Sequence, residues 1–474
     1  MDEPTDTPLW TQSATTLAEQ IREGDVTPTD AVDAHLERIQ TADDELTAFI
    51  TVTDEYAKRA AREADETKEG ERGPLHGVPV ALKDLGSLKA SMRHTFGCAL
   101  FADFEAPRTA AIVSRLEDAG AIIIGKTNTP AFGHAGTTHN ELVGTTGSPI
   151  DPSLNAGGSS GGSAAAVGAG MVPIATGSDA GGSLRIPAAA CGIYAIKPSY
   201  GLVPNDGRPN GFGSHRHHST KGPLARTVTD AATMLEVMAG PHPMDPDSVP
   251  IEIDFVSGLE MDASELSIAY TPDLGTFPVR DGVRRQLEEA LDALEGAGAT
   301  VDHVDFDFDC THEELLEAVE TTFSTGVANG MAILESTFGI DVRAHDDQVA
   351  DSLLEMIDRG TDVPTTDVAK TGLVRTRVFD AVQSVLAEYD LLATATLSRA
   401  DIARDADVAN EWDLALTWPF NWTGHPAASV PAGRTDHGRP VGLQLIGRRY
   451  EDQTVLGASA VLERVHPWDA PYTE

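Results

Sequence analysis

Residues Asn155–Gly170 read NAGGSSGGSAAAVGAG, sixteen positions with six glycines, three serines and no charge. Composition alone fits a flexible linker, a loop that cradles a phosphate, or a turn that presents a nucleophile. The neighbouring sequence decides among them. Downstream runs MVPIATGSDAGGSLRIPAAACGIYAIKP, apolar and low in charge, and alanine and glycine in SAAAVGAG let a helix lie close to its neighbours. Upstream, GPLHGVPVALKDL turns into an apolar strand ending at Lys83-Asp84. TAAIVSRLEDAG then AIIIG reads as an amphipathic helix feeding a short buried strand, and this alternation predicts an α/β fold.

The chain has 474 residues, 41% hydrophobic, enough for a large core in two or three domains or one large α/β unit. Asp and Glu number 74 against 34 Lys and Arg, a net charge of -40 dispersed along the chain. Apolar runs interrupt the charge throughout, which argues against disorder. So acidic a surface disfavours nucleic acid and anionic membranes as partners. Only eight residues are lysine, and this acidic, lysine-poor composition resembles that of salt-adapted proteins, such as those of halophilic archaea. Cys98, Cys191 and Cys310 are odd in number and far apart, against a disulfide framework or a thiolate metal site. No basic-then-apolar leader and no run of 18 apolar residues is present, which predicts a soluble cytoplasmic protein.

Two helices are predicted within TTLAEQIREGDVTPTDAVDAHLERIQ, the second opening at Thr27-Pro28, and ITVTDEYAKRAAREADETKEGER reads as a third with a charged, exposed end. These N-terminal helices span about 12–70, a core about 71–240, an acidic and irregular cleft region about 245–375, and a C-terminal core segment about 376–470. Within the acidic region VRRQLEEALDALEGAG and THEELLEAVETTF predict helices. No repeat or long linker divides the chain, so a single domain over 1–474 is expected.

Two motif matches mislead. Gly120–Thr127, GAIIIGKT, satisfies the phosphate-loop pattern, but Ala-Ile-Ile-Ile favours a strand and Pro130 opposes a long following helix. GSSGG satisfies the nucleophile-elbow pattern with Ser160 at its centre, yet GSPIDPSLNAG before it is no apolar strand. The histidines of HRHH, His215, His217 and His218, have no H-x-x-x-H spacing, so a solvated loop beside a cleft is preferred over a metal site.

Three separated segments carry a stronger signal. GGSSGGSAAAVGAG with GSDAGGSLRIPAAACGIYAIKPSYG resembles the serine-rich signature of the amidase signature family, and PLHGVPVALKD resembles its lysine segment. GKTNTPAFG, HSTKGPLARTVTDAATML and TGHPAASVPAG with GRPVGLQLIG extend the resemblance from about residue 15 to 465. It implies the family's fold, a central mixed sheet with helices on both faces.

The resemblance also implies a chemistry. Ser183 becomes the nucleophile, Ser159, 24 positions earlier, the proton relay on a cis peptide bond, and Lys83 the general base. Burial favours neutral lysine, which takes a proton from Ser159 while Ser159 takes one from Ser183. The N–H groups of Ala180, Gly181, Gly182 and Ser183 are assigned to the oxyanion, with Ser160, Asp179 and Arg185 as support. Thr176 and Thr220 read as ordinary packing residues. No metal or organic cofactor is required.

The implied activity is hydrolysis of a small-molecule amide to a carboxylate plus ammonia or an amine. The alternatives are a glutaminase subunit of a tRNA-dependent amidotransferase, which passes ammonia to a partner, and a non-enzymatic scaffold. Association with further copies of the chain is left open. Three stretches depart from the family pattern: KDLGSLKASMRHTFG after the lysine, Ala131 where many relatives carry an acid, and the absence of Pro-Thr-x-Pro after VFDAVQSVLAEYDLLATATLSRAD. The first two weaken any substrate assignment.

Overall fold

Strands Pro79–Lys83 and Ile174–Asp179 lie side by side and parallel near the middle of the molecule, so their C-terminal ends open on the same edge. The computed structural model describes residues 7–212, 218–251, 253–409 and 411–469. Eleven strands form one mixed sheet. Their order is Phe49–Val52, Ile122–Thr127, Pro79–Lys83, Ile174–Asp179, Thr220–Ala225, Tyr194–Lys197, Ala427–Arg434, Pro440–Gly447, Leu391–Ala395, Ser267–Tyr270 and Thr300–His303.

The central strands are buried on both faces, and alternate residues feed different cores. Val80, Leu82, Ile123 and Ile174 join one cluster, whereas Ala81, Ile122, Ile124 and Ala175 join another. That is the period-two pattern of a sheet covered by helices on both sides. Helices Ala111–Asp118, Val228–Met238 and Asp452–Val465 pack on the first face, and Pro28–Leu46 and Gly161–Gly168 on the second.

Local chemistry explains most boundaries. Thr27 caps Pro28–Leu46, its hydroxyl accepting from Asp30 N while the Asp30 carboxylate accepts from Thr27 N, a capping box. The Gly161–Gly168 helix is wholly buried, and a Cβ on Gly162 would stand 2.3 Å from Asn128 N. The expected close approach is therefore made by backbone. Within GAIIIGKT, residues Ile122–Thr127 form a strand, as its β-branched run predicts.

One expectation is corrected and one is extended. ITV, read as the start of a helix, is an edge strand, as β-branched Ile50, Thr51 and Val52 favour, and the helix begins only at Asp54. The helix read from THEELLEAVETTF continues through TGVANG to Phe338, twenty-seven residues from His312. The acidic region is also more regular than its composition suggests. Ser267–Tyr270 and Thr300–His303 extend the main sheet, and Asp351–Thr361 and Thr365–Leu386 join His312–Phe338 as helices.

Candidate active site

Lys83 closes its strand with a side chain that is 0% exposed. Its Nζ donates to Ser159 Oγ at 2.7 Å and to Ser178 Oγ at 3.0 Å, while its backbone N donates to Thr176 Oγ1 at 2.9 Å. Burial without a carboxylate in contact pulls the ammonium down to about 7, Asp179 opposing only in part. Two neutral hydroxyls within reach suit an uncharged amine that exchanges protons.

Ser159 follows a cis peptide bond from Gly158 and is buried beside Gly133. Ser160 leads into the Gly161–Gly168 helix and binds both partner segments. Its N donates to Ser183 O at 3.2 Å, and its Oγ donates to Ser178 O at 3.3 Å. The family register and the GxSxG pattern thus give neighbouring serines different jobs. Ser159 meets the lysine, and Ser160 staples the turn to the loop carrying Ser183.

That loop hangs from Asp179. Gly182 N donates to Asp179 Oδ1 at 2.6 Å and Leu184 N to Oδ2 at 3.2 Å. The resemblance assigns the Gly182 N–H to an oxyanion; the Asp179 carboxylate takes it instead, leaving Ala180, Gly181 and Ser183 of the four. Arg185 grips the same carboxylate through Nε at 2.9 Å and Nη2 at 3.0 Å. Burial alone would raise the Asp179 carboxyl, but the Arg185 guanidinium overrides it and holds it at about 2. Arg185 in turn donates to Thr417 O, Gln444 Oε1 and Asn421 Oδ1. A fully buried ion pair needs such hydrogen bonds to offset its desolvation.

Gly182 has a φ of +130°, and a Cβ there would lie 2.0 Å from Thr417 Oγ1. Thr417 Oγ1 itself donates to Gly181 O at 2.6 Å. The carbonyl is thereby held towards Thr417 by a residue distant in sequence. Ser183 remains half-buried, whereas Lys83 and Ser159 are sealed from solvent.

The structure brings Lys83, Ser159, Ser160, Asp179, Arg185 and the 180–183 loop to one edge of the sheet. Sequence reasoning missed Ser178, Thr417, Asn421 and Gln444, and took Thr176 for packing. Thr417, Asn421 and Gln444 lie more than 230 positions from Arg185 or Gly181, so only the assembled sheet shows their partnership. Ser178 carried a usable signal, standing next to Asp179 at the end of a strand parallel to that of Lys83. Thr220 Oγ1 donates to Lys221 O, and Thr220 stands opposite Asp179 in the sheet. Of the HRHH run, His218 packs against Phe323 with centroids 5.5 Å apart, while His215 and His217 lie outside the described residues.

The departures from the family pattern have structural reasons. Asp84 accepts from Thr95 N at 2.8 Å and lies beside His94, which touches Lys126, so the KDLGSLKASMRHTFG loop folds back on a buried polar cluster. Ala131 sits in an apolar cluster with Phe101, Val342 and Leu353, a poor place for an acid.

A large mixed α/β sheet thus carries a buried lysine, paired hydroxyls and a glycine-rich loop at one edge. Residues 30–456 match the Amidase family, and the chain belongs to it. It is similar to an acylamidase from Rhodococcus erythropolis, 34% identical over 96% of this chain and 96% of that protein. It is also similar to one of the subunits of glutamyl-tRNA(Gln) amidotransferase from an Exiguobacterium species, 32% identical over 97% and 98%. In three dimensions it resembles a bacterial aryl acylamidase of the amidase signature family, with a TM-score of 0.92, 31% identity and coverage of 99% and 100%. The protein is an enzyme that hydrolyses amides. Among the described residues no helix is long and apolar enough to cross a membrane.

Proposed function

We propose that the chain is a single-domain, stand-alone amidase that cleaves a small carboxylic amide to a carboxylate and ammonia or an amine. Ser183 acts as nucleophile, Ser159 as relay and Lys83 as base. The observation that carries this reading is the buried 2.7 Å contact from Lys83 Nζ to Ser159 Oγ, with the lysine brought down to about 7. Neutral Lys83 accepts the Ser159 proton as Ser159 accepts that of Ser183, and Ser183 Oγ bonds to the carbonyl carbon. The oxyanion is met by N–H groups of Ala180, Gly181 and Ser183. Protons returning along the relay reach the leaving nitrogen, the C–N bond breaks, and an acyl-enzyme remains. Water, deprotonated by the same relay, hydrolyses the ester and releases the acid.

The second reading, a glutaminase serving a partner chain, is favoured by the similarity to the amidotransferase along nearly the whole sequence. Ammonia release by the purified single chain from simple amides supports the first reading; glutamine hydrolysis that depends on an added partner supports the second. We also read the surface as salt-adapted. Four of the eight lysines, Lys83, Lys126, Lys197 and Lys221, are buried with Arg185 and Arg226, and six buried aspartates balance them, so the net charge of -40 falls on the outside.

A further inference from the structure

The His312–Phe338 helix crosses the site from one flank to the other. At one end a Cβ on Gly181 would stand 2.8 Å from Phe323 Cζ, so this ring lies against the loop that precedes Ser183. At the other end Val327, Met331 and Leu334 pack with Phe96 and Phe132. Phe132 belongs to the short turn Ala131–Gly133, and a Cβ on Gly133 would stand 3.1 Å from Ser159 Oγ. The spacing of 323, 327, 331 and 334 is a single helical stripe.

Two features of this roof go beyond filling space. From Thr321 to Leu334 fourteen consecutive residues carry no charge, between Glu320 and Glu335 in a chain of net charge -40. Phe323, Val327, Met331 and Leu334 are nevertheless only half-buried, and Phe323 leaves apolar surface against the loop that precedes Ser183. Phe323 also has aromatic company, with the Trp412 ring centroid at 4.7 Å and that of His218 at 5.5 Å. The buried Trp412 indole Nε1 has no acceptor among the described residues, a donor available to a polar atom at the edge of a bound ring.

We infer that Phe323 is the specificity-determining residue and that the site takes uncharged amides bearing an aromatic ring in preference to glutamine. The inference rests on the amidase reading above. A ring laid against Phe323 and Trp412 gains apolar burial and edge or face contacts. From Thr321 to Leu334 the roof helix offers no charge partner to the ammonium or carboxylate of glutamine, whose desolvation against it would go uncompensated.

The test compares wild type, Phe323→Leu and Phe323→Ala on benzamide, acetanilide, acetamide and glutamine, resolving kcat from KM. Fluorophosphonate labelling of Ser183 checks that the nucleophile is intact. Wild type is expected to favour an aromatic amide over glutamine at least tenfold in kcat/KM. Phe323→Ala is expected to lower the aromatic-to-acetamide ratio about tenfold, chiefly through KM, with Phe323→Leu part way. Collapse on benzamide places the ring on the acyl side, and on acetanilide at the leaving nitrogen; either supports the inference. An unchanged ratio in variants that still label, or preference for glutamine, overturns it. Absence of Ser183-dependent hydrolysis of every amide by wild type would instead strike down the amidase reading itself. Should Phe323→Ala fail to fold, Phe323→Leu carries the comparison.

Discussion

Arg185 and Asp179 face each other in a completely buried pair, Nε to Oδ2 at 2.9 Å and Nη2 to Oδ1 at 3.0 Å, and together suspend the loop that carries Ser183. Asp179 alone receives Gly182 N and Leu184 N. Removing Arg185 leaves an unpaired carboxylate in the interior. Arg185→Leu is therefore expected to destabilise the fold by about 3–5 kcal/mol, read by denaturant unfolding, with activity lost as well. Stability within about 1 kcal/mol of wild type would show that the pair does not organise the loop.

Thr417 and Gly182 set a steric test of the same loop. A methyl group on Gly182 would collide with Thr417 Oγ1, and the backbone there is in a region that disfavours side chains. Gly182→Ala is expected to lower kcat on the order of 100-fold, with KM changed far less, because in the proposed mechanism the displaced N–H groups serve the transition state. Wild-type kcat in that variant would contradict the geometry.

Much of this architecture is legible in the sequence, and what is not has a physical cause. The strand at Pro79–Lys83, the decoy strand in GAIIIGKT and the close-packed helix at Gly161–Gly168 follow from β-branched runs and small residues, which are local signals. The roles proposed for Ser159, Ser183 and Lys83 come only from family resemblance, since a serine in a glycine-rich turn is ordinarily a turn residue. The hidden part is long-range. Asn421, Gln444 and Thr417 gain their roles from strands and turns that meet Asp179 and Arg185 only in the finished sheet. The roof helix outruns its sequence signal, which fades at Phe323 because TGVANG has poor helix propensity. Tertiary contact with the Phe96 and Phe132 cluster overrides it.

Activity should rise with pH. In the proposed relay the competent base is uncharged Lys83, and its value of about 7 lies below the ordinary 10.5 because burial disfavours the ammonium. Below pH 7 the lysine is protonated and the relay cannot start. The profile of kcat/KM is therefore expected to climb about tenfold per unit below about pH 7 and level off above it. A profile flat from about pH 5 to 9 would remove Lys83 from the base role.

Salt is expected to stabilise the protein. With a net charge of -40 and the buried charges balanced between bases and acids, self-repulsion at the surface is strong at low ionic strength and screened at high. Thermal melts in about 0.1 M and about 2 M KCl should differ on the order of 10 °C in favour of high salt. Equal melting temperatures would contradict the salt-adapted reading.

The central claim, that Lys83 activates Ser183 through Ser159, is tested most directly by fluorophosphonate labelling at about pH 8, above the Lys83 titration, with the modified peptide identified by mass spectrometry. Wild type is predicted to label at Ser183 and Ser183→Ala not at all. Ser159→Ala and Lys83→Ala, each shown folded by circular dichroism, are predicted to label about 100-fold more slowly or worse. Labelling of Lys83→Ala at the wild-type rate, or modification of a serine other than Ser183, would contradict the relay.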